Sequence, residues 1–219
     1  MTYIIYEITF ALFGIALLAL VMTVLNKVKN NTNTNIKGKT YVTSDWHFKH
    51  KKMLEEWDDR PKDYEDQIIS KYLSTVQEQD RVIFLGDMLF QPHKYKSWFA
   101  DLIRSLPGRK ILIRGNHDDT KRFPDEYWED DCGFDIVYNN YILIGSTLLS
   151  HYPIINSNPN DNRFKDKTQN LHDIFIKEEC IFNLHGHTHT YVNPDKRLIN
   201  CCVDNTRLKP LDITYLTYI

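Results

Sequence analysis

The chain has 219 residues, enough for one domain with its own core, or one domain and a short appendage. Lysine and arginine number 27 against 29 acids, a formal net charge of −2, which excludes the basic excess of a general nucleic-acid binder. Cys132, Cys180, Cys201 and Cys202, one adjacent pair and two scattered residues, do not space like a secreted disulfide framework and read as reduced thiols.

The first predicted element runs from Ile8 to Leu25, "ITFALFGIALLALVMTVL", eighteen residues without a charge and therefore long enough to read as a membrane-spanning helix. No basic stretch precedes it and no small-x-small cleavage site follows, which separates it from a signal peptide. The expectation is an anchor helix over residues 1–28, a flexible polar linker over 29–39 and one globular domain over 40–219. Lys27, Lys29, Lys37 and Lys39 follow the apolar run, so the positive-inside bias predicts a single-pass membrane protein with its domain on the cytoplasmic side and the membrane as one partner.

Along the domain, short β-leaning apolar runs end abruptly in polar residues: "TYVTSDWH", "RVIFLGD", "KILIRGNHD", "YILIGSTLLSHYP" and "CIFNLHGHTH". "LINCCVD" and "ITYLTYI" read as closing strands, the last with one solvated face. Between them, Ile68, Ile69, Tyr72, Leu73 and Val76, then Tyr95, Trp98, Phe99, Leu102, Ile103 and Leu106, recur at helical spacing and predict core-facing stripes. Strands alternating with helices predict an α/β architecture, in which functional groups gather beyond the carboxyl ends of the strands.

That rule brings eight residues to one rim: Asp45, His47, Asp87, Asn116, His117, His151, His187 and His189. Taken singly, an aspartate after glycine or the "GNHD" stretch is an ordinary turn, and "SD" before an amphipathic segment is a helix cap. Together, carboxylates, imidazoles and an amide oxygen with no cysteine make a ligand set for borderline divalent transition ions rather than a thiolate zinc site. Eight positions exceed one tetrahedral ion and suit two ions that share a carboxylate. On an extended strand end Asp45 and His47 would point to the same side, and Gly186 would free the backbone to turn between the last strand and His187.

The ordered series Asp45-x-His47, Gly86-Asp87, Gly115-Asn116-His117, His151 and Gly186-His187-x-His189 resembles the calcineurin-like metallophosphoesterase superfamily, from Tyr41 to the carboxyl terminus. The wording "SDWHFKH", "LSHYPI" and "LHGHTH" is similar to its small single-domain bacterial and phage members. The resemblance implies two facing mixed β-sheets flanked by helices. It also implies that Asp45, His47 and His189 hold a first ion, Asn116, His151 and His187 a second, and that Asp87 bridges them. The ions expected are manganese first, with iron, zinc or nickel as alternatives. His117 would bind neither ion and would assist the leaving group while hydroxide from a water between the ions attacks phosphorus in line. The function implied is hydrolysis of a phosphomonoester or phosphodiester, on a small molecule or nucleotide. The alternatives are a nuclease of the same superfamily and an inactive interaction scaffold. The sequence carries no signal of oligomeric state.

One position departs from the family pattern. Many members carry a second aspartate three residues after the first in the second motif, and here "GDMLFQ" has Phe90. Asp118 or Asp119 is then the candidate to orient His117. His185 reads as a residue behind the ligands, and His172 as solvated on an amphipathic helix. His50 and His93 fall in loops near strand ends, as caps or substrate contacts. Arg114 and Arg163 are surface ion-pairing residues or phosphate contacts, Tyr152 lines the pocket, and residues 156–170 read as a mobile loop.

Overall fold

The computed structural model describes residues 38–55, 60–90, 92–118, 123–124, 126–155 and 163–218. In chain order they form β1 (Thr40–Thr43), α1 (Lys52–Glu55), α2 (Tyr64–Leu73), β2 (Arg81–Phe84), α3 (Pro92–Ser105), β3 (Arg109–Ile113), a π-helical turn (Tyr127–Asp131) and β4 (Ile136–Tyr138). They continue with β5 (Tyr141–Ile144), β6 (Thr147–Ser150), α4 (Lys165–Lys177), β7 (Phe182–His185), β8 (Leu198–Asn200), β9 (Leu211–Asp212) and a 3₁₀ turn (Thr214–Tyr218).

The strands make two mixed sheets. One has the order β4-β3-β2-β1-β9, parallel except for β9. The other has the order β5-β6-β7-β8, with only the β5–β6 hairpin antiparallel. The pleat sends alternate residues to opposite faces, and both faces are covered, which is why these runs read as continuously apolar. Val42, Ile83, Ile111 and Ile113 meet Leu149, Leu184 and Cys201 of the other sheet in a shared core. Their neighbours Tyr41, Val82, Phe84 and Leu112 face outward and pack with Ile68 and Tyr72 of α2 and Phe99 and Ile103 of α3. On the other outer face Leu148 packs with Leu171 and Phe175 of α4. The expected architecture of two facing mixed sheets flanked by helices is therefore the observed one.

Five expectations change. The closing run "ITYLTYI" is not a strand: β9 lies just before it, and Thr214–Tyr218 winds into a 3₁₀ turn whose Leu216 enters the shared core. Residues 165–170, placed in a mobile loop, are the first turns of α4, with Thr168 buried beneath; residues 156–162 lie outside the described set. His93 belongs to the first turn of α3 rather than to a loop. The expected single-pass membrane localisation is withdrawn: among the described residues no helix is long and apolar enough to cross a membrane. The segment 1–28 on which that expectation rested, and 29–37 of the linker, lie outside the described residues. Lys39, assigned to the linker, already belongs to the folded unit, with its Nζ 3.1 Å from Asp212 Oδ2 and its backbone N–H donating to Asp80.

Candidate metal centre

β1 ends at Thr43, so Asp45 and His47 are not on an extended strand end as expected. They lie beyond it with left-handed backbones, φ 59° and 47°, and the same region holds Asp87 (55°), His187 (67°) and His189 (47°). L side chains visit this region rarely, and positive φ at non-glycine residues clusters where surrounding contacts over-determine the backbone. Those contacts are visible. The Asp45 N–H donates to Gly86 O (2.9 Å), His47 N–H to Asp87 O (3.0 Å) and Phe48 N–H to Met88 O (3.0 Å), so the β1–β2 ladder runs on into the loops.

Asp118 fixes the third loop against the second. Its buried carboxylate accepts from the backbone N–H groups of Asp87 (2.6 Å), Gly115 (2.9 Å) and Met88 (3.1 Å). It is thus committed to the backbone and does not take the place of the missing aspartate beside His117; Asp119 lies outside the described residues. Where that aspartate would stand, Phe90 stacks on His50 (ring centroids 3.8 Å apart) and meets His117 edge-on at 5.7 Å. Gly186 is needed for space rather than for a left-handed turn: a Cβ there would overlap Ser44 Oγ and Asp45 Oδ2.

The side chains converge. Asp45 Oδ2 accepts from Ser44 Oγ (2.5 Å), His187 N–H (3.0 Å) and the Cys202 thiol (3.1 Å), while Oδ1 is buried with no hydrogen-bond partner among the described residues. His47 Nε2 is equally buried and unpartnered, 3.6 Å from that oxygen. Asp87 divides in the same way: Oδ1 accepts the His117 N–H (2.8 Å), and Oδ2 lies 3.6 Å from both His47 Nε2 and His151 Nε2, and 3.9 Å from His117 Nε2. Ligand atoms of Asp45, His47 and His189 lie within 4.8 Å of one another, and so do those of Asp87, His151 and His187. A third such group, His47, Asp87 and His117, joins the two. The Asn116 carboxamide oxygen is 3.2 Å from His151 Nε2, so all eight rim residues named from the sequence meet at one place.

Electrostatics favour a cation there. Burial and then the charges of Asp45 and Asp118 push the Asp87 carboxyl well above its usual range. Burial pushes Asp45 the same way, but the surrounding imidazoles of His47, His151 and His189 hold it well below. Burial lowers His47 to about 3 and His187 to about 3, so both rings are neutral near pH 7, the form that ligates a metal. Asp204 and Asp45 raise His189 despite its burial, but the neutral His47 and His187 rings bring no positive charge to Asp87, and orphaned buried polar atoms are costly. Divalent cations between Asp45 Oδ1, His47 Nε2 and Asp87 Oδ2 would remove both costs, so the residues fit them.

Other expectations resolve individually. His185, at the end of β7, turns its Nδ1 to Gly186 O (2.9 Å); burial lowers its imidazole to about 4. His50 approaches the His47 ring, Nδ1 to Nδ1 3.4 Å, and His172 on α4 is half-exposed beside Asp173. Arg114 is buried and lines a cleft with Tyr152, Asn139, Asn140 and Lys167, whereas Arg163 lies over the Phe164 ring. The sequence pointed to neither Arg60 nor Asp204: they pair at 2.6 Å, and Asp204 Oδ2 accepts from His189 Nδ1 at 3.0 Å. The only signal was a buried-type "CCVD" ending in an acid, and nothing marked its partner 144 residues away.

Known proteins resemble this chain over most of its length. An uncharacterized protein of Methanocaldococcus jannaschii is 27% identical over 187 residues, 80% of this chain and 87% of its own length. The Gene 66 protein of Mycobacterium phage D29 is 27% identical over 183 residues, 76% of this chain and 83% of that one. The crystal structure of a protein of unknown function from Aquifex aeolicus superposes with a TM-score of 0.66 at 29% identity, covering 80% of this chain and 95% of that one. The family model described as calcineurin-like phosphoesterase matches residues 38–212, the span that carries both sheets and every rim residue, and the chain therefore belongs to that family.

Proposed function

We propose that the protein is a binuclear metal-dependent phosphoesterase that hydrolyses a phosphomonoester or phosphodiester by direct attack of water on phosphorus. The observation that carries this reading is Asp87 Oδ2, equidistant at 3.6 Å from His47 Nε2 and His151 Nε2 at the junction of the two ligand groups. In this reading Asp45, His47 and His189 hold one ion, Asn116, His151 and His187 the other, and Asp87 both. Two divalent transition ions, manganese being the first to test, would supply Lewis acidity: charge neutralisation at the phosphoryl oxygens and a more acidic water.

The protein side of the chemistry is positional. Asp45 Oδ2, saturated by three donors, leaves Oδ1 to face the centre, and the His117 N–H turns Asp87 in the same manner. His117 is the most exposed imidazole among His47, His117, His151 and His189, at 29% of its side chain, so it is the one that reaches a substrate oxygen. Its role is to hold a proton at Nε2 and pass it to the leaving oxygen, because expulsion of an unassisted alkoxide is costly near neutral pH. Bis-p-nitrophenyl phosphate hydrolysis in the presence of manganese tests the assignment. Activity that survives Asp87→Asn unchanged, or that survives His117→Ala unchanged on an alkyl phosphoester, refutes it.

A further inference from the structure

Arg60 leads from the α1–α2 connection into the centre, where its hydrogen bonds end on the backbone of the Asp45–His47 loop and on the Asp204 carboxylate. Nε and Nη2 engage Asp204 Oδ1 (2.6 Å) and Oδ2 (2.8 Å), Nη2 also donates to Asp45 O (2.8 Å), and Nη1 donates to Trp46 O (3.0 Å). Its guanidinium lies over the Tyr64 ring at 5.0 Å, and the Tyr64 hydroxyl donates to His47 O at 2.7 Å. Asp204 Oδ2, shared with Arg60, accepts the His189 Nδ1 proton, which fixes the tautomer that leaves Nε2 facing Asp45 Oδ1 at 4.0 Å. One guanidinium thus reaches Asp45 directly, His47 through Tyr64 and His189 through Asp204.

Both side chains are almost wholly buried, 1% and 2% exposed. A buried ion pair brings little net stability, because desolvation offsets its Coulomb attraction, so a fold gains little from one for its own sake. What it supplies is direction. A planar bidentate fork holds its partners in one geometry, and the backbone it grips at Asp45 is the left-handed one at φ 59°. A carboxylate behind a ligating imidazole also sets the ring's orientation and basicity.

We propose that Arg60 and Asp204 form a positioning pair that pre-shapes the Asp45–His47–His189 site and makes it the tighter of the two cation sites, an inference that rests on the binuclear reading above. The second group has no counterpart among the described residues: His151 Nδ1 meets only a backbone carbonyl, Leu85 O, at 2.7 Å, and His187 is packed by rings.

The test is calorimetric titration of the full-length, chelator-treated protein with Mn²⁺, with the electron paramagnetic resonance of the bound ions as a second readout. Wild type is expected to take up two ions per chain, one tighter. The neutral pair Arg60→Gln/Asp204→Asn removes both charges and leaves polar side chains in their place; it should weaken the tighter ion about 10- to 100-fold and leave the other within about threefold. Asp204→Glu, which keeps the charge, should recover part of the loss in the Arg60 background. If the neutral pair does not fold, Arg60→Lys, which keeps the charge but not the fork, should show the same selective weakening to about tenfold. A folded variant that binds both ions as wild type does, or loses both equally, overturns the inference alone. Wild-type protein that takes up no divalent cation overturns the binuclear reading and this inference with it.

Discussion

The two ligand groups of the centre are held by different physics. Around Asp45, His47 and His189 the supports are charged and directional: three donors on one carboxylate oxygen, an ion pair, and a carboxylate behind an imidazole. Around His151 and His187 they are uncharged: one backbone carbonyl, Leu85 O, on His151 Nδ1 at 2.7 Å, and otherwise ring packing. Tyr152 and Phe164 each stand 4.8 Å from the His187 ring, and His151 and Tyr152 pack edge to face at 4.9 Å. Hydrogen bonds to charged groups fix an angle, whereas ring packing fixes a volume within which a ring still turns. The same kind of ligand can therefore be pre-set on one side and adjustable on the other.

Asp87 belongs to both sides, so its loss should erase the difference. Asp87→Asn is expected to cost on the order of 10³-fold or more in phosphoester hydrolysis and to lower the affinity of both ions, because a carboxylate shared by two cations is replaced by a neutral amide. Metal titration that shows only one ion weakened would mean that Asp87 is not shared. His117→Ala is expected to be next in size, about 10²-fold on an alkyl phosphoester and clearly less on a nitrophenyl ester, whose leaving oxygen needs less protonation. Both ions should stay bound, since His117 is placed here as the proton donor. Equal losses on both esters would remove it from that role.

How much of this was legible in the chain depended on how far each support reaches. Motif residues such as Asp45-x-His47 and Gly186-His187-x-His189 sit within a few positions of a strand end, so an apolar run followed by polar residues was enough to find them. The supports are long-range. Arg60 and Asp204 are 144 residues apart, and nothing in "DDRPKD" marks an arginine that will be buried. Phe164 was lost in a stretch whose polar composition hid the start of α4. β4 was missed for a different reason: "IVY" is a three-residue edge strand, too short to show a period against its polar flanks. Left-handed backbones at the ligands were invisible too, because alternation in a sequence does not distinguish an extended strand end from a loop that turns twice.

The ring-packed side yields the third prediction. Phe164→Leu keeps an apolar group but removes the edge against His187 and the tilted contact with Tyr152 (5.0 Å). It should weaken the ion on the His151 side by about tenfold, at the low end for a residue supporting a ligand, and leave the Asp45 side unchanged. Titration with Mn²⁺ resolves the two. Weakening of the Asp45-side ion instead would invert the comparison.

The smallest effect expected is a pH dependence of the metal-free fold, and it too separates the supports. Burial and neighbouring acids raise Asp87 well above the ordinary carboxyl value of 3.8. Its contribution to stability is therefore fully present below that value and is lost as pH rises through the folded-state pKa. Asp204 runs the other way. Burial alone would raise it, but Arg60 and His189 hold it at about 2, so its contribution is present above 3.8 and is lost as pH falls toward 2. The buried imidazoles oppose Asp87 over part of the same range: His47 and His187, lowered to about 3, and His185, lowered to about 4, contribute stability that is present above 6.5 and is lost as pH falls. The contribution of Asp87 is therefore read as a difference between two chelator-treated proteins. Relative to wild type, Asp87→Asn should gain thermal stability by a few degrees as pH rises from mild acid to neutral, because the amide has no carboxyl proton to lose. Mn²⁺ should abolish that gain by stabilising wild type, and a difference that does not change with pH would mean that Asp87 is not the group that titrates.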